Sequence, residues 1–280
     1  FEGEGGQTLG ERGHSKDHRP DLKQMVVGAV LDTEGRPVCC ELWPGNTADV
    51  KTLIPIVDRF RRRFGIERLC IVADRGMISR KTIEELTSEN RRWDYILGVR
   101  MRLVNEVKKE VLSRAGRYGE ASPPKTKKKD PSPLKVKEVQ IEDRRYVVCH
   151  NEEQAKKDRA DREAIVTGLE EKLRQGEKSL VGNRGYRKFL KSSGKGEGLK
   201  IDREKIKAEV RFDGKWVLRT SLDELAADQV ALKYKQLWRV ESIFRSAKSL
   251  LETRPVYHKC DETIRGHVFC SFLALVLMKE

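Results

Sequence analysis

Aromatic side chains are scarce in this sequence: Phe, Trp and Tyr together make up 6% of its 280 residues. With 36% of residues charged, that scarcity excludes a chain that is core throughout, and it predicts solvated helix or linker around one localised core. No hydrophobic run reaches membrane-spanning length. The most apolar one, VFCSFLALVLM from Val268 to Met278, falls short of the roughly 20 residues a bilayer needs and reads as a buried helix. A signal peptide is also missing, so the expected location is cytoplasmic, without a membrane partner. The six cysteines (Cys39, Cys40, Cys70, Cys149, Cys260 and Cys270) show no C-x-x-C spacing. Neither a zinc site nor a disulfide framework is indicated, and four of the six sit in strand-like or apolar runs typical of buried, reduced thiols. Acids are the minority charge, 44 against 58 bases, for a formal net charge of +14. Each phosphate neutralised by a cation releases condensed counterions, so nucleic acid is the first partner to consider and an anionic membrane surface the second.

What is present is an ordered series of short elements. VVGAVL and PVCCEL read as strands joined by a hairpin turn at Asp32-Thr33-Glu34-Gly35. NTADVKTLIPIVDRFRRRFG reads as a helix capped by Asn46 or Thr47 and ended by Gly65. RLCIVADRG is a continuous apolar run ending in Asp74, as expected of a parallel strand buried on both faces. A capped helix, SRKTIEELTSEN, and a strand, WDYILGVRM, complete a β-β-α-β-α-β order, which predicts a mixed sheet with helices on its faces. After Met101 the character changes. The stretch from Lys108 to Val139, rich in Lys, Pro, Ser and Gly, reads as a solvated loop, with a DNA-backbone contact as the alternative. RRYVVCHN is then a strand and Asn151 to Gly176 a long charged helix, while KAEVRF and KWVLRTS flank Asp213-Gly214 as a second hairpin. The expected organisation is a core in residues 1–102 and 209–280, interrupted by a mixed α+β insertion at 103–208.

The stretch YKQLWRVESIFRSAKS places one acid, Glu241, among bases and large apolar residues. At about 100° per residue, Leu237, Val240, Ile243, Phe244, Ala247 and Leu251 share a core-facing arc. Tyr234, Glu241 and Lys248 line its border, with Arg245 and Trp238 beside them. A partly buried carboxylate needs a partner. Arg245, four residues on, is the one that helix geometry favours. The alternative is a divalent cation shared with another acid, for which Asp74 is the natural companion, since sheet-based α/β proteins place their chemistry at strand C-termini. Asp74 read alone also fits a turn or cap aspartate. His267, on an apolar helix, reads as a hydrogen-bonded core residue.

At these residues the chain resembles a known family. IVADRGM and YKQLWRVESIFRSAK are similar to the second and third acidic motifs of bacterial insertion-sequence DDE transposases with the Y-x2-R-x3-E-x6-K signature. Tyr234, Glu241 and Lys248 match that spacing, whereas Leu237 holds the place of the arginine and Arg239 follows two residues on. GHSKDHRPDLKQMVVGAVLD, ELWPGNTADVKTL, VGNRGYRKFLK and RPVYHKCDETIRGHVFCSFLALVL extend the resemblance over nearly the whole chain. It implies a ribonuclease-H-like core and two Mg2+ or Mn2+ ions held by two aspartates and a glutamate, here Asp74 and Glu241 as catalytic and metal-binding residues. It further implies cleavage of DNA at element ends and transfer of the freed strand to a target. Tyr234, Lys248, Arg245, Arg239 and Lys23 would contact DNA. The partners would be double-stranded DNA, as terminal inverted repeats and target, and further copies of the chain in a dimer or larger assembly. The family's first Asp precedes a segment like FEGEGG, so it is expected upstream of Phe1, and Asp17, Asp21 and Asp32 are weak replacements. The chain begins without Met and ends within an apolar helix, so it reads as cut at both ends, and on its own it is expected to be inert. A ribonuclease-H-like nuclease without strand transfer and a decayed DNA-binding protein are the rival functions.

Overall fold

The computed structural model describes residues 1–14, 19–89, 91–122, 132–175, 188–192 and 199–279. The expected first hairpin is formed by β1 (Met25–Leu31) and β2 (Pro37–Pro44), antiparallel with Met25 opposite Pro44 and Val30 opposite Cys39. Its turn closes on itself. Oδ1 of Asp32 accepts the backbone N–H groups of Glu34 and Arg36 at 2.8 and 2.9 Å, and Gly35 takes φ +85°.

The next helix starts later than expected. The Thr47 N–H is used on the Pro44 carbonyl, a 3-10 turn spans Asp49–Lys51, and α1 runs Leu53–Phe64 from an N-cap at Thr52. Pro55 fits there because the first-turn N–H it lacks would have no intrahelical partner. Gly65, at φ 63°, ends α1 in the left-handed conformation. β3 (Cys70–Ala73) then pairs in parallel with β4 (Asp94–Val99), across α2 (Arg80–Thr87), whose N-cap Ser79 accepts the Thr82 N–H at 3.1 Å. α1 and α2 cover this pair: Leu53 and Leu86 join Ile71, Ala73, Tyr95 and Leu97 in one apolar cluster.

The later strands are β5 (Gly119–Ser122), β6 (Leu134–Ile141), β7 (Arg144–His150), β8 (Leu190–Ser192), β9 (Leu199–Ile201) and β10 (Lys215–Thr220). Among the described residues the larger sheet is mixed, in the order β3-β4-β10-β7-β6-β5. β3 ends that order, and it is not buried on both faces: Ile71 and Ala73 are buried, but Val72 is only half-buried and Cys70 is exposed, as are Cys260 and Cys270. All six thiols are free.

The chain divides into two compact units. The first comprises Phe1–Val99, Arg219–Leu225 and Leu232–Glu280. In it α7 (Asp261–Leu277) packs against β2 and α6 (Trp238–Ser249). The Asp261 carboxylate accepts the N–H groups of Gln7 and Thr8, tying the glycine-rich first residues to the start of α7. Nε2 of His267 lies 3.0 Å from the Thr253 carbonyl, the hydrogen-bonded histidine the sequence predicts. α7 is not buried all round: Ile264, Val268 and Leu275 face inward, but Phe269, Leu273 and Leu277 are exposed.

The second unit comprises Arg100–Leu218 and Ala226–Ala231. Part of what reads as a solvated loop is core. Val111 is fully buried in a π-helical turn together with Val107 just before the stretch, and β6, paired with its antiparallel neighbour β7, buries Leu134, Val136, Lys137, Val139 and Ile141. KAEVRF is not a strand: it belongs to α4 (Arg203–Val210), started by Asp202, which accepts the Lys205 N–H at 3.0 Å. α3 (Glu152–Gln175) is the long charged helix. The Asp213-Gly214 turn is held from that helix, by Arg162 forking onto Asp213 and by Asp158 accepting the Gly214 N–H at 2.8 Å. The lysine-rich KTKKKDP and most of VGNRGYRKFLK lie outside the described residues.

Candidate active site

Asp74 follows the last residue of β3 and precedes a 3-10 turn at Arg75–Met77. A turn aspartate would fold its side chain back onto that turn, but Asp74 makes no side-chain cap; its backbone carbonyl alone receives the Met77 N–H at 3.0 Å. The carboxylate instead points outward, where Oδ1 accepts a hydrogen bond from the Tyr234 hydroxyl at 2.9 Å.

Tyr234 arrives there from a helix that breaks. The expected continuous helix is two, α5 (Ala227–Lys235) and α6, joined by a tight turn in which the Leu237 N–H returns to the Tyr234 carbonyl. The seven-residue spacing from Tyr234 to Glu241 therefore spans a junction, and the two side chains sit on different helices. α6 fully buries only Ile243, and Trp238, Glu241, Arg245 and Lys248 form an exposed stripe along it. Glu241 is thus more exposed than the border of a buried arc, because the arc itself is only half-buried: Val240, Phe244 and Ala247 stay partly exposed, while the break displaces Tyr234 from that line. The expected Glu241–Arg245 ion pair is not formed, and the Glu241 carboxylate has no partner among the described residues.

The remaining expected site residues are engaged with the protein itself. Arg239 donates from Nη1 to the Thr33 carbonyl at 2.7 Å, across the β1–β2 turn. The Lys23 ammonium pairs with Glu4. Of the substitutes for a first aspartate, Asp32 closes its own turn, Asp21 pairs with Arg19 at 2.8 Å, and Asp17 lies outside the described residues.

Gly98 is a site residue that the sequence reading missed. It follows the Leu97–Ala73 pair on β4, and a Cβ there would stand 2.4 Å from the Tyr234 hydroxyl oxygen and 3.0 Å from the Arg75 nitrogen. A glycine inside the otherwise apolar run YILGV was the available signal, because glycine in a buried strand often marks a close approach.

A mixed sheet flanked by helices, with an acid at the end of a parallel strand and another on a following helix, is consistent with the ribonuclease-H-like class. Within that class the chain belongs to the transposase DDE domain family, whose model matches residues 2–277. No curated protein matches it. Family membership makes it an insertion-sequence DDE transposase, a DNA-binding enzyme of DNA cleavage and transposition, and divalent metal ions are that family's general requirement. The donors here suit a hard cation, which prefers carboxylate oxygen. Glu241 and Oδ2 of Asp74 are both unpaired among the described residues, although no three acid, histidine or cysteine side chains there converge on one point. No described helix is long and apolar enough to cross a membrane.

Proposed function

We propose that Asp74 and Glu241 are two of the three carboxylates that hold Mg2+ or Mn2+, and that the chemistry is strand cleavage at element ends followed by strand transfer to target DNA. The observation that carries this is the outward Asp74 carboxylate, excused from capping its own turn, in the same compact unit as the unpaired Glu241. A bound pair of such ions stabilises the attacking and leaving oxygens of an in-line phosphodiester displacement. Arg245 and Lys248, one and two turns beyond Glu241 on the exposed face of α6, take DNA phosphates, Arg as a fork and Lys as a point charge. Arg239 and Lys23, already engaged by Thr33 and Glu4, hold the hairpin and the first loop, and come second as DNA contacts.

The third carboxylate belongs to a further strand of the core, placed between β1 and β3. Supporting this, β3 ends the larger sheet and β1 has only β2 as a paired strand, apart from the Glu11–Gln24 bridge just before it, among the described residues. Both strands lie against α1: Ile56 is beside Gly28 of β1, and Leu53 clusters with Ile71 of β3. In this reading the core runs through residues 1–102 and 209–280, with 103–208 as an insertion, although residues 209–218 belong to the second compact unit, and it acts as a dimer or larger assembly on paired DNA ends. In this reading the chain by itself binds DNA without cutting it, and a binding-only protein is the second reading, favoured by the same absence of a three-donor cluster among the described residues. Mn2+-dependent cleavage of an element end, assayed with this chain joined to the strand and acid it needs, tests the assignment. Asp74→Ala and Glu241→Ala should each abolish cutting; undiminished cutting by either sinks it.

A further inference from the structure

We propose that Tyr234 is a positioning residue for Asp74: its hydroxyl fixes the carboxylate with Oδ2 presented to a cation, rather than serving first as a contact to DNA. This rests on the metal-binding reading of Asp74. Three observations carry it. The hydroxyl donates to Oδ1 at 2.9 Å, which leaves Oδ2 without a partner among the described residues. Asp74 makes no cap of its own, so among the described residues it is this hydrogen bond that sets its rotamer. And β4 carries glycine at the one place where a Cβ would meet the phenol oxygen at 2.4 Å, so the sheet is hollowed to admit the hydroxyl.

The arrangement has a physical rationale. A carboxylate at a strand end has several rotamers, and one that could collapse onto its own turn must be held out to bind a cation at low entropic cost. Hydrogen-bonding partners behind a ligating carboxylate perform that function at metal sites generally, and their loss weakens metal affinity about 10–100-fold. Because α5 ends just after Tyr234 and α6 begins three residues later with Glu241 in its first turn, the same junction that aims the phenol at Asp74 also sets out the second acid.

The test measures Mn2+ affinity of the chain by the loss of free-Mn2+ electron paramagnetic resonance signal, and in parallel its affinity for duplex DNA in EDTA. Tyr234→Phe keeps the ring and removes only the hydroxyl; Gly98→Ala keeps the hydroxyl and denies it its place. Both should weaken Mn2+ binding about tenfold or more, and Tyr234→Phe should bind DNA in EDTA as the parent does, while Lys248→Ala binds it less well. Unchanged Mn2+ affinity in Tyr234→Phe overturns the positioning role, as does a loss of DNA binding in EDTA equal to that of Lys248→Ala. Asp74→Asn separates the two readings: if it leaves Mn2+ binding intact, Asp74 is not a ligand and both readings fall.

Discussion

Arg239 shows how a single side chain gets its meaning from what it touches. Its charge and its place beside the acidic motif suggest a DNA contact, yet its guanidinium donates to the Thr33 carbonyl and its stem lies over Gly35, where a Cβ would come within 2.8 Å of Cδ. Gly35 is constrained twice, by that stem and by φ +85°. Gly35→Ala should therefore lower the unfolding free energy by about 1–2 kcal/mol, from left-handed strain plus displacement of Arg239. Urea denaturation checks this, and an unchanged midpoint would remove Arg239 as a strut. At this scale the sequence was legible where a residue type and a local pattern coincide, as for Asp74 at the end of an apolar run. It was illegible where the partner is remote: nothing in the spacing of residues joins Tyr234 to Asp74, 160 positions away.

Elements were legible in proportion to how local their causes are. The β1–β2 hairpin is written in its turn chemistry, and α2 in its Ser79 cap. The opening of α1 was misread because Thr47, a good cap by type, has its N–H drawn back to Pro44. β6 was hidden because LKVKEVQI breaks the period of two at Lys137-Glu138, where a buried lysine stands in place of an apolar residue, inside a lysine-rich stretch. α4 was misread as a strand because what holds it is tertiary. Burial pushes the Glu209 carboxyl up, but hydrogen bonds from Lys188 and Arg102 outweigh it and hold the group below the ordinary carboxylate range. A carboxyl lowered in the folded state contributes its stability above the unfolded value, about 4.3, and loses it as pH falls through the folded one. Glu209→Gln should thus cost about 1–2 kcal/mol at pH 7, discounted because both cations are partly exposed, and nothing once the parent's carboxyl is protonated. Thermal melts of both proteins across pH 3 to 7 should converge at the acid end; a gap that persists there would mean that packing, not charge, is lost.

For the whole molecule, a net charge of +14 predicts a polyanionic partner, and family membership makes that partner DNA. Charge alone does not say which cations meet the phosphates, since many are already committed: Arg162 to Asp213, Arg91 to Asp58 and Arg59 to Glu41. Such pairs stay with the protein and release few counterions on binding, whereas Arg245, exposed and unpaired among the described residues, is available. The bulk charge thus sets the affinity scale, and the uncommitted subset sets the geometry. Salt dependence separates the two. Arg245→Ala should reduce the slope of log K against log salt by about one, whereas Arg59→Ala, which removes a cation already neutralised by Glu41, should leave the slope near that of the parent. Fluorescence anisotropy with a duplex between 50 and 300 mM salt measures both. Equal losses from the two variants would place DNA binding in the diffuse field of the protein and take the exposed face of α6 out of the interface, leaving Glu241 without neighbours to hold the strand it is proposed to cut.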